Sequence, residues 1–432
     1  MVLLVLAVVL VVTAVAVPPL TGWDVHARDD AHIALPPWHG WWEPHVGPGT
    51  VPALLLAALA LLGAISLAQR LPWRRLLLVS FAGSLAWLLS LALVDGTSGL
   101  SRVLGNPHEY LDTARRVDAG GLAAIGPLLA SWVDHMPLHS EQHWPTHVAG
   151  HPPGMLLLFV ALVRLGLGGD LAAGVVVTVL AATIAPAVLI TLRALDAEDV
   201  ARRSAPFLVF TPAAVYLAVS ADAVMTAVAA WAMALLACAA ANTTRWSYGL
   251  AVAAGGLFGV LMLMSYGLGL FALVALGLVV GTKAYRVLLP CGLAALAVVL
   301  APALAGFWWP EAFHVLRGRY WEGVASSRPG AYWTWANLAL LAATAGPVVA
   351  AGLGRLRRLP SPVLYVVVGA VVAIVLADAS QMSRAEVERI WLPFIPWLTI
   401  AVVALPRRWE RAALGSQLAV ALALEHLLYT TW

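Results

Sequence analysis

The sequence predicts an all-α polytopic membrane protein, a bundle of about 13 transmembrane helices with one long outer loop carrying a juxtamembrane helix. Three observations lead there. Apolar residues make up 62% of the 432 positions and charged residues only 11%, more apolar surface than a soluble domain can hide. Apolar runs of roughly 18 residues or more recur along the chain, each long enough to cross a bilayer as a helix. These runs are continuous rather than alternating, so the backbone polar groups are satisfied within helices and not in a closed barrel.

In order, the apolar segments lie near 2–20, 51–69, 76–94, 153–167, 171–192, 203–219, 223–241, 248–263, 266–282, 287–307, 337–353, 361–377, 391–405 and 412–429. The first resembles a signal sequence but lacks a basic start and a small-residue cleavage site, so it reads as a retained helix. Short arginine-rich loops face the cytoplasm. Arg70, Arg74 and Arg75 form one, Arg355, Arg357 and Arg358 another, and Arg407, Arg408 and Arg411 a third. That puts loops 21–50, 95–152, 308–336 and 378–390 outside. One segment between His151 and Asp222 must then be short, re-entrant or merged with its neighbour, which is why the count is about 13 and not 14. Residues 1–75 read as two added helices with an outer loop, 76–405 as the core and 406–432 as a final helix. Cys238 and Cys291 sit in or beside apolar runs and read as packing residues. Lys283 is the only lysine, and no nucleic acid is expected as a partner.

Ionisable side chains concentrate in the first two outer loops. Ten of the 12 histidines are there: His26, His32, His39, His45, His108, His135, His139, His143, His147 and His151. Asp24, Asp29, Asp30, Glu43, Glu109, Asp112, Asp118, Asp134 and Glu141 accompany them. Histidine recurs at every fourth position from His135 to His151, which on one helix would make a zinc-binding face. Pro137, Pro145, Pro152 and Pro153 break such a helix, so contacts to a sugar or phosphate are the favoured reading. Within the same long loop, Glu109 to Val117 reads as an amphipathic helix opened by Asn106-Pro107 and closed near Gly120-Gly121.

Asp222 interrupts an apolar run from Ala205 to Ala241 that is too long for a single crossing, so two helices with the acid at the turn fit best. An acid beside the bilayer marks a functional site, with a helix cap as the plainer alternative. Glu386 and Arg389, three apart before the 391–405 span, either pair with each other or leave the arginine for an anionic headgroup. Arg317, Arg319 and Arg328, interleaved with Tyr320, Trp321 and Tyr332, form a second basic-aromatic cluster. Glu425 and His426 stand out as polar residues in the last apolar run.

Four motifs in order resemble the GT-C superfamily of membrane glycosyltransferases, which use polyprenyl-phosphate-linked sugars. They are the helix Tyr110-Leu-Asp-Thr-Ala-Arg-Arg116, the span start His151-Pro152-Pro153-Gly154, Thr211-Pro212 followed by Ser220-Ala-Asp222, and Arg389 followed by Pro393 and Pro396. The resemblance covers roughly residues 76–400, and is greatest to actinobacterial envelope enzymes that decorate arabinomannan-type glycans, including those that transfer methylthioxylose. It departs from the family where an Asp-Glu pair often precedes the tyrosine, since Asn106-Pro107 stands there. The resemblance implies a GT-C-type core at 76–405 in the bacterial plasma membrane, with its site facing the periplasm or cell exterior. The partners would be a polyprenyl-phosphate-linked sugar donor, an envelope glycan or glycolipid acceptor and the lipid bilayer. Glu109, Asp112 and Asp24 are then the candidate catalytic bases. Asp222, Tyr110, His147, His151, Glu386, Arg389 and Arg319 are the candidate substrate-binding residues, with Asp222 positioning the acceptor or a divalent cation. No other cofactor is implied. A multi-span transporter or flippase for a lipid-linked precursor is the alternative.

Overall fold

A computed structural model of the chain describes residues 2–27 and 34–430, almost all of it helical. His32, Asp29 and Asp30 lie outside the described residues. Among the described residues, eight helices are long and apolar enough to cross a membrane: Val2–Thr21, Thr50–Arg70, Trp73–Leu100, Asp170–Ala194, Ala221–Ala241, Trp246–Met264, Tyr285–Ala305 and Ser361–Ala379. Pro153–Arg164, Tyr266–Thr282 and Leu392–Ala404 are shorter apolar helices. The chain is therefore an all-α, multi-pass membrane protein.

Small residues let these helices approach closely, as they must where no hydrophobic driving force separates helix from lipid. A Cβ on Gly277 would lie 2.2 Å from the Tyr365 carbonyl oxygen, and one on Gly369 would lie 2.4 Å from that of Leu273. Gly255 and Gly259 do the same for Trp246–Met264 against Tyr285–Ala305, where their Cβ atoms would meet Cys291 and Val298. The first helix is bound in as well. Tyr332, on the helix Gly330–Ala345, donates its hydroxyl to the Ala14 carbonyl at 2.8 Å, and Trp333 Nε1 donates to Val25 at 2.9 Å. The only sheet among the described residues joins the two ends of the chain: Gly40–Trp42 pairs antiparallel with Leu428–Thr430.

Two irregular stretches position the site. The apolar run around Asp222 does break in two, since the helix Glu198–Val209 ends before Thr211-Pro212 and Ala221–Ala241 starts afresh. Residues 211–220 between them, which include the single helical turn Ala214–Leu217, are all buried in protein, the setting in which irregular backbone is tolerated in an apolar bundle. Trp87 Nε1 satisfies the Thr211 carbonyl at 3.4 Å. The long loop folds into short helices, and its amphipathic helix runs over Leu111–Ala119 rather than from Glu109. An Asx turn displaces the start: Asn106 Oδ1 accepts from the His108 amide at 3.0 Å, and the Asn106 carbonyl accepts from Glu109 at 2.9 Å. Gly121, at φ +68°, turns the chain away beyond the other end.

Gly277→Val should therefore force the Tyr266–Thr282 and Ser361–Ala379 helices apart, destabilising the protein by about 1–3 kcal/mol. Thermal unfolding in detergent would register this as a lowered Tm. Gly249→Val, where a Cβ meets nothing within 4 Å, should leave Tm unchanged.

Candidate functional site

The candidate site forms where four chain segments meet ahead of apolar helices. Its first wall is the turn at Glu109 and Tyr110. Because the helix starts only at Leu111, these two side chains are free of its amphipathic face and turn inward, 3% and 1% exposed. The His147 amide donates to the His108 carbonyl at 3.1 Å, fastening this turn to the second wall, the helix Thr146–Gly150. That helix starts after Pro145, and the chain re-enters a helix at Pro153 with Pro152 as its N-cap. The third wall is Asp222, in the first turn of a helix whose N-cap Ser220 accepts from the Ala223 amide at 3.2 Å. Facing it is Val387–Ile390, set up by two consecutive left-handed residues, Ala385 at φ 73° and Glu386 at φ 61°. Non-glycine residues in that region are strained and persist only where their surroundings hold them.

Arg389 sits at the centre. Its Nη1 donates to Asp222 Oδ2 at 2.8 Å, and its Nη2 lies 3.5 Å from both His147 Nε2 and Glu386 Oε2. Arg389 and Asp222 are each 4% exposed, so this is a buried ion pair. His147 Nδ1 lies 2.5 Å from Glu109 Oε1. The arrangement fixes the tautomer, since Nδ1 faces a carboxylate and carries the proton, while Nε2 faces the guanidinium and accepts. Glu109 Oε2 is buried with no hydrogen-bond partner among the described residues. Burial acts to raise the Glu109 pKa, but His147, Arg389 and His151 outweigh it and hold the carboxyl below its ordinary value. His151 Nδ1 is 2.8 Å from both the Tyr110 hydroxyl and the His147 carbonyl. Burial lowers the His151 pKa.

Seven residues singled out in the sequence thus come together: Glu109, Tyr110, His147, His151, Asp222, Glu386 and Arg389. Three do not. Asp112 is exposed and pairs with Arg115 at 2.8 Å. The Asp24 side chain is 75% exposed and lies 3.4 Å from His26. Arg319 is buried, but it donates to the carbonyls of Met136 and, at 3.0 Å, Trp144, so it secures the histidine-rich loop from behind. The histidines of that loop do not share a face. His135 Nδ1 lies 2.7 Å from the Ser131 carbonyl oxygen and its ring sits against Trp144, while His143 is exposed.

Sequence reasoning missed three members of the site. Arg328 contacts Glu386 Oε1 at 3.1 Å, the His39 amide donates to Glu388 Oε1 at 3.3 Å, and Glu388 is fully buried. The alternation of Glu386, Glu388 and Arg389 in one short segment was the available signal. The chain matches no protein-family model and no curated protein, so the reading of the site rests on its own chemistry.

Two outcomes follow. Arg389→Ala leaves Asp222 buried without its partner and should cost about 3–5 kcal/mol, whereas Asp222→Asn with Arg389→Met should cost clearly less than the single changes summed. Unfolding of Arg389→Ala, of Asp222→Asn and Arg389→Met singly, and of their double in detergent checks this. The Glu386 carboxyl, which burial would raise, is brought down to about 2 by Arg328, His39, Arg389 and His147. Its folded pKa lies below its unfolded value, so its stabilisation is complete above the ordinary carboxylate pKa and fades as pH falls toward 2. The Tm deficit of Glu386→Gln relative to wild type should therefore shrink between pH 6 and pH 3.

Proposed function

We propose that this protein is a GT-C-type glycosyltransferase of the bacterial plasma membrane. It would transfer a sugar from a polyprenyl-phosphate donor to an envelope glycan or glycolipid on the outer side, through about 13 spans in all. The observation that carries the reading is the Glu109–His147–Arg389–Asp222 array with Glu109 Oε2 left open. One oxygen of an ionised carboxylate is held by His147, and the other is available to a hydroxyl proton. The arginine clusters at Arg70–Arg75, Arg355–Arg358 and Arg407–Arg411 support an outward-facing site by the positive-inside rule.

In this mechanism the acceptor hydroxyl gives its proton to Glu109 Oε2 as its oxygen attacks the anomeric carbon. The bond from that carbon to the phosphate oxygen breaks, and polyprenyl phosphate leaves with the electron pair, so the anomeric configuration inverts. Charge grows on the phosphate as it departs. Arg389 supplies positive charge there, and the apolar helices Pro153–Arg164 and Ala221–Ala241 both begin beside the cluster with their positive dipole ends toward it. Asp222 holds Arg389 in place, and Tyr110 with His151 borders the donor. A lipid-linked donor also accounts for a site built at the mouths of membrane helices.

Membranes or proteoliposomes supplied with decaprenyl-phosphate sugars and envelope glycan acceptors test this. Glu109→Gln should lower transfer by about 10²–10⁴-fold, the usual contribution of a general base. Asp112→Asn and Asp24→Asn should leave it unchanged. Transfer by Glu109→Gln at the wild-type rate would overturn the assignment. The burial of the cluster's charges favours one second reading, a flippase or transporter for a lipid-linked precursor. Movement of the donor across the bilayer without acceptor or product would establish that instead.

A further inference from the structure

Glu425 and His426 play no part in the mechanism above, yet Glu425 is 8% exposed and has no hydrogen-bond partner among the described residues. It lines a cavity of about 20 Å³ together with Asp95 and Arg102, room for a single water-sized species. One further group lies beside Asp95. His45 Nε2 lies 3.0 Å from Asp95 Oδ1, and ligand atoms of His45, Asp95 and Glu425 all fall within 4.8 Å of one another.

The His45 ring is held from behind. Its Nδ1 lies 2.7 Å from the Glu43 carbonyl oxygen, which accepts only from an N–H, so Nδ1 carries the proton and Nε2 presents a lone pair. That lone pair makes no hydrogen bond, although a carboxylate oxygen is 3.0 Å away. Beside one carboxylate, with a second alongside, that nitrogen is placed to share a bound cation with both of them. Arg102 offsets only part of their charge. It pairs with the other oxygen of Asp95, and is further tied to the Thr430 carbonyl at 3.1 Å and to the Tyr429 ring at 4.4 Å. A ligating imidazole whose second nitrogen donates to a backbone carbonyl is the usual arrangement at protein metal sites.

The backbone around the site is fixed. The Glu43 amide donates to Leu427 at 3.0 Å and that of His45 to His426 at 2.9 Å, extending the strand pairing. Gly47 and Gly49 bring the loop against Val94 and Ser90, where a Cβ would stand 1.9 and 2.1 Å from carbonyl oxygens. The three ligands thus come from three parts of the chain: the loop after the first helix, the turn at Asp95 and the last helix.

We propose that His45 Nε2, Asp95 Oδ1 and the Glu425 carboxylate bind one divalent transition-metal ion, separate from the Glu109–Arg389 site and independent of the function proposed for it. One imidazole and two carboxylates suit Mn²⁺ or Zn²⁺. The ion would pin the two ends of the chain to the bundle.

The test uses the full chain in detergent, carrying no histidine tag, stripped with EDTA and dialysed against Mn²⁺ or Zn²⁺. Bound metal is measured by mass spectrometry and unfolding by Tm. Wild type should hold one equivalent and gain Tm with metal, while Glu425→Gln and His45→Gln bind about tenfold more weakly or worse and gain none. His143→Gln, in the exposed histidine-rich loop, should behave as wild type. Circular dichroism and a single elution peak establish that each variant is folded. If Glu425→Gln fails to fold, the loop variant His45→Gln decides, together with the nitrogen coupling in the Mn²⁺ resonance spectrum, present in wild type and absent in that variant. Less than half an equivalent bound by wild type, or equal binding by folded His45→Gln, would overturn the proposal.

Discussion

A guanidinium and a carboxylate, each 4% exposed, face one another at 2.8 Å where Arg389 meets Asp222, and the surrounding structure has to satisfy both. Removing two charges from water costs several kcal/mol per ion, and a lone contact does not offset that. The remaining donors and acceptors must therefore be matched nearby. His147 and Glu386 do this for the second guanidinium nitrogen, Glu109 for His147, and Arg328 for Glu386. A network of this kind works as a unit, because any member left unpaired carries the desolvation cost that its partner had covered.

That requirement explains where the backbone departs from regular structure. Arg389 reaches Asp222 only because Ala385 and Glu386 adopt left-handed conformations that turn the chain just before a buried apolar helix. Asp222 reaches Arg389 only because the preceding helix stops at Val209, so a fresh N-terminus can open at Ser220. Pro152 and Pro153 do the same for His147 and His151, ending one helix and starting the next. Each irregularity is enclosed by protein, where its backbone groups find partners, and each puts an ionisable side chain at a helix start.

Much of this was legible in the sequence, and the reason is specific. Charges inside apolar runs, and prolines beside them, are costly enough to stand out, so Asp222, Arg389, His151 and a break in the run near Asp222 could be read directly, although the first helix stops earlier, at Val209. Glu109 was legible as a candidate but not distinguishable from Asp112. Three residues separate them, and the choice depends on an Asx turn that delays the helix to Leu111. Asp24 and Arg319 illustrate the opposite limit. Both are charged residues in polar loops, where exposure is cheap and composition does not reveal whether a side chain meets solvent, a carbonyl or a substrate. His39 and Arg328 reach the site through contacts between segments far apart in sequence, for which no local pattern exists.

His147 and His45 make a useful comparison because their rings are set in the same way. Each carries its proton on Nδ1, toward Glu109 in one case and toward the Glu43 carbonyl in the other. Each therefore presents an Nε2 lone pair into a buried polar cluster. For His147 that lone pair meets a guanidinium, and Glu109 Oε2 has no hydrogen-bond partner among the described residues. For His45 it meets the carboxylate of Asp95, with Glu425 close by and Arg102 paired to the other oxygen of Asp95. The same ring geometry would thus serve two different roles under the readings proposed above: steadying a base for a hydroxyl proton at one cluster and holding a cation at the other.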